Sequence, residues 1–323
     1  MERFEGRIAV VTGGGTGMGR ELVRQLAAEG CDVAMCDVSA EAMAETEALA
    51  LEGAPSGTRV TSFVADVSDE AQVLAFRDAV AAGLATDHVN LLFNNAGIAG
   101  GGSIITDDRA EWERTFGVDW GGVYFGTRAF LPMLLAADAG HVVNTSSVNG
   151  LLASVGPTTP HTAYSSAKFA VRGFTEALIA DFRVNAPHLR ASVVMPGHIG
   201  TSIIINTGKA HGNEPETMDA ERLDTLRTML TNRGMPVEGV SDEDLRKGMQ
   251  MMAEGFRDAA PTTAAQAATI ILDGVRHDRW RILVGDDAVA LDVAVRADPE
   301  HAYDPEFWEA LVSSGNFGLL TAE

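Results

Sequence analysis

The sequence predicts an α/β fold, in which a Rossmann-like, doubly wound parallel sheet of seven strands forms a single domain. Three observations lead to this prediction. Seven short apolar runs recur along the 323 residues, amphipathic segments separate them, and a glycine-rich turn follows the first run. Continuous apolar strands that alternate with helices are typical of a parallel sheet covered by helices on both faces.

The apolar runs give the strands in order: residues 8–11, 32–36, 60–64, 90–93, 141–145, 191–195 and 281–284. Helices are predicted at residues 21–29, from residue 111 past residue 130, and at residues 164–182. Gly30 follows the first helix, where a left-handed glycine commonly ends a helix. The domain is therefore expected to span residues 1–296.

One long segment, residues 201–261, interrupts this alternation and is predicted to be an enlarged substrate lid. It holds half of the twelve methionines, namely Met218, Met229, Met235, Met249, Met251 and Met252. Thioether side chains adapt to bulky apolar ligands, and they also pack well within helical segments. The methionines alone leave both interpretations open.

The C-terminal extension, residues 297–323, is rich in aromatic side chains: Tyr303, Phe307, Trp308 and Phe317. So many aromatic rings are unusual for a free chain end. We therefore expect the extension to dock on its own subunit or on a neighbouring one.

Composition excludes several classes of function. Acidic residues outnumber basic ones 45 to 24, for a net charge of −21, which disfavours nucleic acid as a partner. The first residues carry neither a signal-peptide pattern nor a membrane span, so a cytoplasmic protein without a membrane partner is expected. Cys31 and Cys36 are predicted to be buried, reduced thiols on opposite strand faces, and no metal site is predicted.

The stretch TGGGTGMGR, residues 12–20, lies between the first strand and the first helix. Backbone N–H groups and the positive helix end of such a turn can approach a pyrophosphate, although glycines also serve simply to make tight bends.

Asp37 ends the second strand. A carboxylate there accepts hydrogen bonds from the adenosine ribose and repels a 2′-phosphate, which favours NAD over NADP; the alternative is a helix cap or turn aspartate.

The stretch YSSAK places Tyr164 and Lys168 four residues apart on a predicted helix, so the two side chains share one face. A free tyrosine has a pKa near 10. A neighbouring ammonium stabilises the phenolate, so that the tyrosine can exchange a proton with a substrate oxygen.

Six motifs in order make the chain resemble the short-chain dehydrogenase/reductase family, in its single-domain subfamily. They are T-G-x-x-x-G-x-G at residues 12–19, ADV at 65–67, NNAG at 94–97, NTSS at 144–147, YSSAK at 164–168 and PGHIGT at 196–201. The resemblance extends from about residue 7 to residue 284. It implies an NAD(P)-dependent oxidoreductase that assembles as a homodimer or homotetramer.

The resemblance also implies site roles. Tyr164 would be the acid/base, Ser147 would bond the substrate oxygen, and Lys168 would hold the nicotinamide ribose and depress the tyrosine pKa. The implied cofactor contacts are Gly13, Thr16, Gly17, Met18, Gly19, Asp37, Asp66, Val67, Asn95, Ala96, Gly97, Tyr164, Lys168, Pro196, Gly197, Ile199 and Thr201.

Two features depart from the family pattern. Asp119 stands where the family usually carries an asparagine. It would either keep the same backbone geometry or act through its carboxylate, pairing with Lys168 in a proton relay, so we count it among the candidate catalytic residues.

The spacer between Ser147 and Tyr164 is also longer than usual. That loop would border the substrate pocket, with Asn149 and His161 as candidate contacts; a solvated loop histidine is the alternative for His161.

These features predict an NAD-dependent alcohol dehydrogenase or carbonyl reductase, acting on a bulky, apolar secondary alcohol or ketone of steroid, terpenoid or aromatic type. The alternative is a catalytically weak NAD(H)-binding sensor with the same fold. A sugar-nucleotide epimerase is disfavoured, because those extended relatives carry T-G-x-x-G-x-x-G in the first loop and this chain does not.

Overall fold

The computed structural model describes residues 1–154, 156, 159–232, 234–235 and 237–313. It confirms the predicted α/β fold, with seven parallel strands in one central sheet. These strands are β1 (Ile8–Thr12), β2 (Asp32–Asp37), β3 (Val60–Val64), β4 (Leu91–Asn94), β5 (Gly140–Thr145), β6 (Leu189–Pro196) and β9 (Arg281–Val284). A separate pair consists of β7 (Ile199–Gly200) and β8 (Thr262–Thr263).

Twelve α-helices occur within the described residues. They are α1 (Gly17–Ala28), α2 (Ala40–Glu52), α3 (Glu70–Gly83), α4 (Arg109–Phe116), α5 (Gly122–Ala136), α6 (Thr162–Asn185), α7 (Ile203–His211), α8 (Ala220–Asn232), α9 (Asp242–Asp258), α10 (Ala264–Arg276), α11 (Asp286–Ala297) and α12 (Pro305–Ser313). A π-helical turn, Gly117–Gly121, joins α4 to α5, so the predicted long helix is continuous but locally widened. Gly30 adopts the left-handed conformation expected after α1, with φ +79°.

Helices cover the sheet on both faces, and each face has its own apolar core. Cys31 lies in the core that contains Leu22 of α1 and Ile271 of α10. Cys36 lies in the opposite core, with Phe76 of α3 and other buried side chains. Both cysteines are buried free thiols, as predicted, and burial raises the pKa of each well above its ordinary value.

The strand order is β3-β2-β1-β4-β5-β6-β9. The chain runs outward from β1 to β3 and then returns to place β4 on the other side of β1. In sheets of this kind the crevice at the carboxyl ends of the strands flanking this reversal binds ligands. The loops that follow β1, β2, β4, β5 and β6 therefore meet at one edge.

The segment predicted as a lid folds as α7, a short 3-10 turn, α8 and α9. Met218, Leu223 and Leu245 form a small apolar cluster within it, against which Met249 packs. Met235, Met251 and Met252 are exposed. No helix of the described residues is long and apolar enough to cross a membrane.

The C-terminal extension folds back on the domain through α12. Trp308 and Leu311 are buried in a cluster with Val148 and Leu152, which follow β5. The Tyr303 hydroxyl accepts a hydrogen bond from the Ala153 backbone N–H at 3.2 Å. Phe317, also named among the aromatic residues of this extension, lies outside the described residues.

Candidate active site

The glycine-rich loop forms the first wall of a cavity of about 500 Å³ at the carboxyl edge of the sheet. The loop leaves β1 and begins α1. Gly13 has φ +68°, and a Cβ there would lie 2.8 Å from the Ala96 Cα, so only glycine lets the two loops approach. Thr16 precedes α1 and uses no side-chain oxygen to cap it. The first N–H groups of α1 are thus available to an anionic ligand.

Asp37 lies at the end of β2 and lines the same cavity. Its Oδ2 accepts a hydrogen bond from the Gly15 N–H at 3.0 Å, and its Oδ1 accepts one from the Ser39 N–H at 3.1 Å. The two bonds fix the carboxylate against the glycine-rich loop. Exposed Val38 follows it, so no basic side chain stands directly beside the carboxylate in the chain.

The loop after β3 contributes Asp66 and Val67 to the cavity lining. Asp66 pairs with Arg114 of α4 at 2.6 Å and accepts a hydrogen bond from Ser68. Burial alone would raise the pKa of Asp66, but the bonds from Ser68 and Arg114 bring it below its ordinary value. Sequence reasoning missed Arg114, because α4 reaches this wall only through the tertiary fold.

The NNAG segment follows β4 and is tied to the first loop. The Thr12 hydroxyl accepts hydrogen bonds from the backbone N–H groups of Asn95 and Ala96, at 3.0 and 3.1 Å. The Asn95 side chain donates to the Thr12 carbonyl oxygen at 3.1 Å. Asn95, Ala96 and Gly97 all line the cavity.

Four predicted catalytic residues converge behind this segment. Lys168 Nζ lies 3.1 Å from Asp119 Oδ1, and both side chains are buried. Lys168 Nζ also donates to the Thr145 carbonyl oxygen at 3.2 Å and lies 5.3 Å from the centre of the Tyr164 ring. Ser147 stands beside Tyr164 and lowers the pKa of its phenol. The YSSAK spacing therefore places tyrosine and lysine together, as predicted.

Gly97 lines the cavity and lies directly in front of Asp119 and Lys168. A Cβ at this position would lie 2.6 Å from Asp119 Oδ1 and 3.2 Å from Lys168 Nζ. Any larger residue would collide with the buried pair, so glycine is required here. The ion pair consequently lies immediately behind the cavity wall.

Asp119 pairs with Lys168 through its carboxylate, which was one of the two possibilities left open. Its Oδ1 also accepts a hydrogen bond from the Ile98 N–H at 3.2 Å, while Oδ2 has no partner among the described residues. Burial raises the pKa of Asp119 to about 6, and Lys168 offsets only part of that rise. Burial alone would lower the pKa of Lys168, but Asp119 and Tyr164 hold it above its ordinary value.

Burial also dominates at Tyr164, where it raises the pKa of the phenol. Lys168 lowers that pKa, the Asp119 carboxylate raises it, and Ser147 lowers it. The expected depression by Lys168 is present as one contribution. Burial of the phenol outweighs this contribution, so the pKa of Tyr164 lies above its ordinary value.

The two candidate substrate contacts occupy different surroundings. Asn149 is buried, and its side chain donates to Ser165 Oγ at 3.2 Å while its backbone N–H donates to Ser147 Oγ at 3.1 Å. It holds the serine loop against α6. The His161 ring lies 6.3 Å from the Tyr164 ring. His161 also borders a second cavity of about 440 Å³.

The PGHIGT segment closes the site from the β6 side. The Gly197 N–H donates to the Val284 carbonyl oxygen at 2.9 Å, and the His198 N–H donates to Asp287 Oδ2 at 2.6 Å. Ile199 is buried in β7. Thr201 follows it and lines the main cavity.

Ten of the predicted cofactor contacts line the main cavity: Gly13, Thr16, Met18, Asp37, Asp66, Val67, Asn95, Ala96, Gly97 and Thr201. The other predicted contacts do not line this cavity and lie in α1, in α6, at the end of β6 and in the segment that leads into β7 and begins it: Gly17, Gly19, Tyr164, Lys168, Pro196, Gly197 and Ile199. Sequence reasoning missed several lining residues, including Ser39, Arg114, Val118, Asn206 and Lys209. Only their positions in the fold bring them there.

The chemistry of this cavity fits a nicotinamide dinucleotide. Free helix N–H groups face one side, a carboxylate stands near the β2 end, and the tyrosine and lysine stand behind the β4 segment. Among the described residues, no group of three side chains could hold a metal ion.

The chain is similar to proteins of known sequence and structure. The short chain dehydrogenase family model matches residues 7–211. The putative oxidoreductase SadH of Mycobacterium tuberculosis is 36% identical over 296 residues, which cover 92% of both chains. A short-chain dehydrogenase/reductase from Burkholderia phymatum, solved in complex with NAD, is 30% identical with a TM-score of 0.73, covering 94% of this chain and 98% of that one. A metagenomic relative solved with NADP is also 30% identical, with a TM-score of 0.53 over 60% of this chain and 83% of its own.

Proposed function

The chain is an oxidoreductase of the short-chain dehydrogenase/reductase family, and from this premise we propose that it transfers a hydride between a nicotinamide cofactor and a secondary alcohol or ketone. The observation that carries the proposal is the convergence of Ser147, Tyr164 and Lys168 behind the glycine-lined cavity. When bound, the nicotinamide ring supplies or accepts the hydride at C4.

Tyr164 is the proposed acid/base. Its hydroxyl gives a proton to the carbonyl oxygen in reduction, and its phenolate accepts the proton of the alcohol in oxidation. The Ser147 hydroxyl bonds the same substrate oxygen, and Asn149 keeps that serine in place through its backbone N–H. The Lys168 ammonium stabilises the phenolate form.

We propose that Asp119 positions Lys168 and tunes Tyr164 without touching the substrate. The buried pair at 3.1 Å fixes the ammonium beside the tyrosine. Because the carboxylate also raises the tyrosine pKa, Asp119 moves the working range of the base toward alkaline pH. An asparagine would keep the acceptor for Ile98 but would carry no charge.

NAD is the proposed cofactor. The support is Asp37, whose carboxylate is held at the cavity wall by two backbone N–H groups and would repel a 2′-phosphate. The two solved relatives were found with different dinucleotides.

We propose a bulky, apolar substrate. The support is the second cavity, which lies beside His161 next to the tyrosine. Three apolar residues border it, Ala153, Pro160 and Phe169, together with the smaller hydroxyl residues Ser154, Thr162, Ser165 and Ser166. The lid methionines give no such support, since Met218 and Met249 pack in the lid and three others are exposed.

The chain is proposed to assemble as a homodimer or homotetramer. Tyr124 of α5 and Phe169 of α6 are exposed aromatic side chains on long neighbouring helices. Light scattering of the purified protein measures the mass directly. A monomer at micromolar concentration would contradict this proposal.

A panel of secondary alcohols tests the function. Steroid, terpenoid, aromatic and polyol alcohols are incubated with NAD and, in parallel, with NADP, and reduced cofactor is followed by absorbance. We expect turnover with NAD, faster on the apolar alcohols than on the polyols. Tight NADH binding without turnover of any compound would instead favour the sensor alternative.

A further inference from the structure

Helix α7 crosses the proposed cofactor cavity and joins its two walls. The Asn206 side chain donates to Thr16 Oγ1 of the glycine-rich loop at 3.1 Å. On the opposite wall, Thr207 Oγ1 accepts from the Ala99 N–H at 2.7 Å. At the end of the helix, His211 Nε2 lies 3.3 Å from Thr115 Oγ1.

Asn206 and Lys209 stand three residues apart on α7, and therefore on neighbouring positions of one helix face. Both line the cavity, together with Gly13 and Thr16. The amide of this face reaches the glycine-rich loop, and the ammonium that follows one turn later lines the same cavity.

The charges around the cavity single out Lys209. Arg114, the other cation of the lining, pairs with Asp66 at 2.6 Å. The other two lysines of the chain pair with Asp119 and Glu243. Lys209 makes no ion pair within the part of the chain that the structure describes. In a protein with a net charge of −21, an unengaged ammonium beside an anion-binding loop calls for an anionic partner.

We propose that α7 binds the diphosphate of the cofactor, with Lys209 as its charged contact and Asn206 as a second donor. This inference rests on the proposed function, in which the cavity holds a nicotinamide dinucleotide. The glycine-rich loop offers only backbone N–H groups, which carry partial charge. Lys209 supplies a full positive charge on the side of the diphosphate that faces away from the glycine-rich loop. The bond from Asn206 to Thr16 holds α7 over the cavity when no diphosphate is present.

The test is the dissociation constant of NADH, measured by titration for wild type and for Lys209→Met. Because a charge-assisted contact at a partly exposed site is lost, we expect about tenfold weaker binding at low salt. The affinity of wild type for NADH should fall as the salt concentration rises, and the affinity of the variant should fall less. Lys247→Met removes an exposed lysine of α9 and is the matched control, with unchanged affinity expected. Asn206→Ala is expected to weaken binding about threefold.

Two further ligands locate the contact. ADP-ribose keeps the diphosphate and lacks the nicotinamide. Lys209→Met should therefore weaken the binding of ADP-ribose by the same factor as the binding of NADH. The affinity for NADPH should fall by no larger a factor than the affinity for NADH. A loss seen only with NADPH would assign Lys209 to a 2′-phosphate and overturn the inference.

Affinities of Lys209→Met for NADH and ADP-ribose within twofold of wild type would also overturn the inference, while leaving the proposed function intact. A wild-type protein that binds neither NADH nor NADPH would overturn the proposed function itself. Thermal unfolding of each variant checks that the fold is kept, which is expected because Lys209 is exposed.

Discussion

The floor of the site and its cover differ in packing. The floor, which we define as Asp119, Ser147 and Lys168, is buried, with exposures of 0%, 6% and 2%. The cover, helix α7, has no buried residue; it hydrogen-bonds to both walls, and its Ala210 is partly buried against the core. Low local packing permits local opening at small free-energy cost, whereas buried charge must stay in place. The difference indicates a fixed chemical centre beneath a segment that can yield to the cofactor.

The largest effect is expected from the floor. Lys168→Met removes the cation that stabilises the phenolate and leaves the Asp119 carboxylate buried without an ion pair. We expect kcat/KM for alcohol oxidation to fall by about 10³-fold. Initial rates with NAD measure the loss, with Lys247→Met as the control. A loss smaller than tenfold would show that the floor is not the chemical centre.

The packing next to the serine loop can be compared with that of helix α9 by measuring the stability of two variants. Trp308 is buried against Val148 and Leu152, next to the serine loop, whereas Met251 on α9 is 71% exposed. Trp308→Ala should lower the free energy of unfolding by about 3–5 kcal/mol, and Met251→Ala by less than about 0.5 kcal/mol. Urea denaturation measures both. Equal effects would contradict the contrast in packing.

A substitution of Asp37 tests the cofactor preference of the cavity wall that lies between the floor and the cover. Asp37→Asn keeps an acceptor for the Gly15 N–H and removes the charge. Since repulsion of the 2′-phosphate disappears, the preference for NAD over NADP should fall about tenfold. The ratio of kcat/KM for the two cofactors measures this change. An unaltered ratio would refute the role given to the carboxylate.

The smallest effect is a shift of the pH profile. The ionised Asp119 raises the pKa of Tyr164, so Asp119→Asn should lower that pKa and move the rising limb of alcohol oxidation down by about one pH unit. Because the pKa of Asp119 is about 6, the carboxyl of wild type is neutral below that pH. The two profiles should therefore converge below about pH 6 and separate above it. Rates measured against pH with a single alcohol show the shift, with the plateau within a few fold.

Superimposable profiles across the whole range would mean that Asp119 acts only through its backbone. A large loss of plateau activity would mean that the carboxylate takes part in the proton transfer itself. Either result would contradict the positioning role.

The sheet could be predicted closely from the sequence. All seven strands occur within two residues of their predicted bounds, because buried parallel strands are continuous apolar runs. The pair β7–β8 was missed, since strands of two residues carry no such pattern. The π-helical turn at Gly117–Gly121 has no periodicity of its own and was missed for the same reason.

The site could be predicted only where its residues form local motifs. Tyr164 and Lys168 share one helix, so their spacing places them together. Arg114 and Lys209 come from helices far apart in the chain, and no local pattern brings them to the cavity. The net tyrosine pKa was also unpredictable, because it depends on how far tertiary packing removes water from the ring.

The most direct test of the central claim compares turnover with cofactor binding in Tyr164→Phe. Phenylalanine keeps the ring but has no hydroxyl proton to exchange. With the best alcohol of the panel and NAD, we predict that kcat falls by about 10³-fold or more while the dissociation constant of NADH stays within threefold of wild type. A variant that keeps more than a tenth of the wild-type kcat would contradict the assignment of Tyr164 as the acid/base.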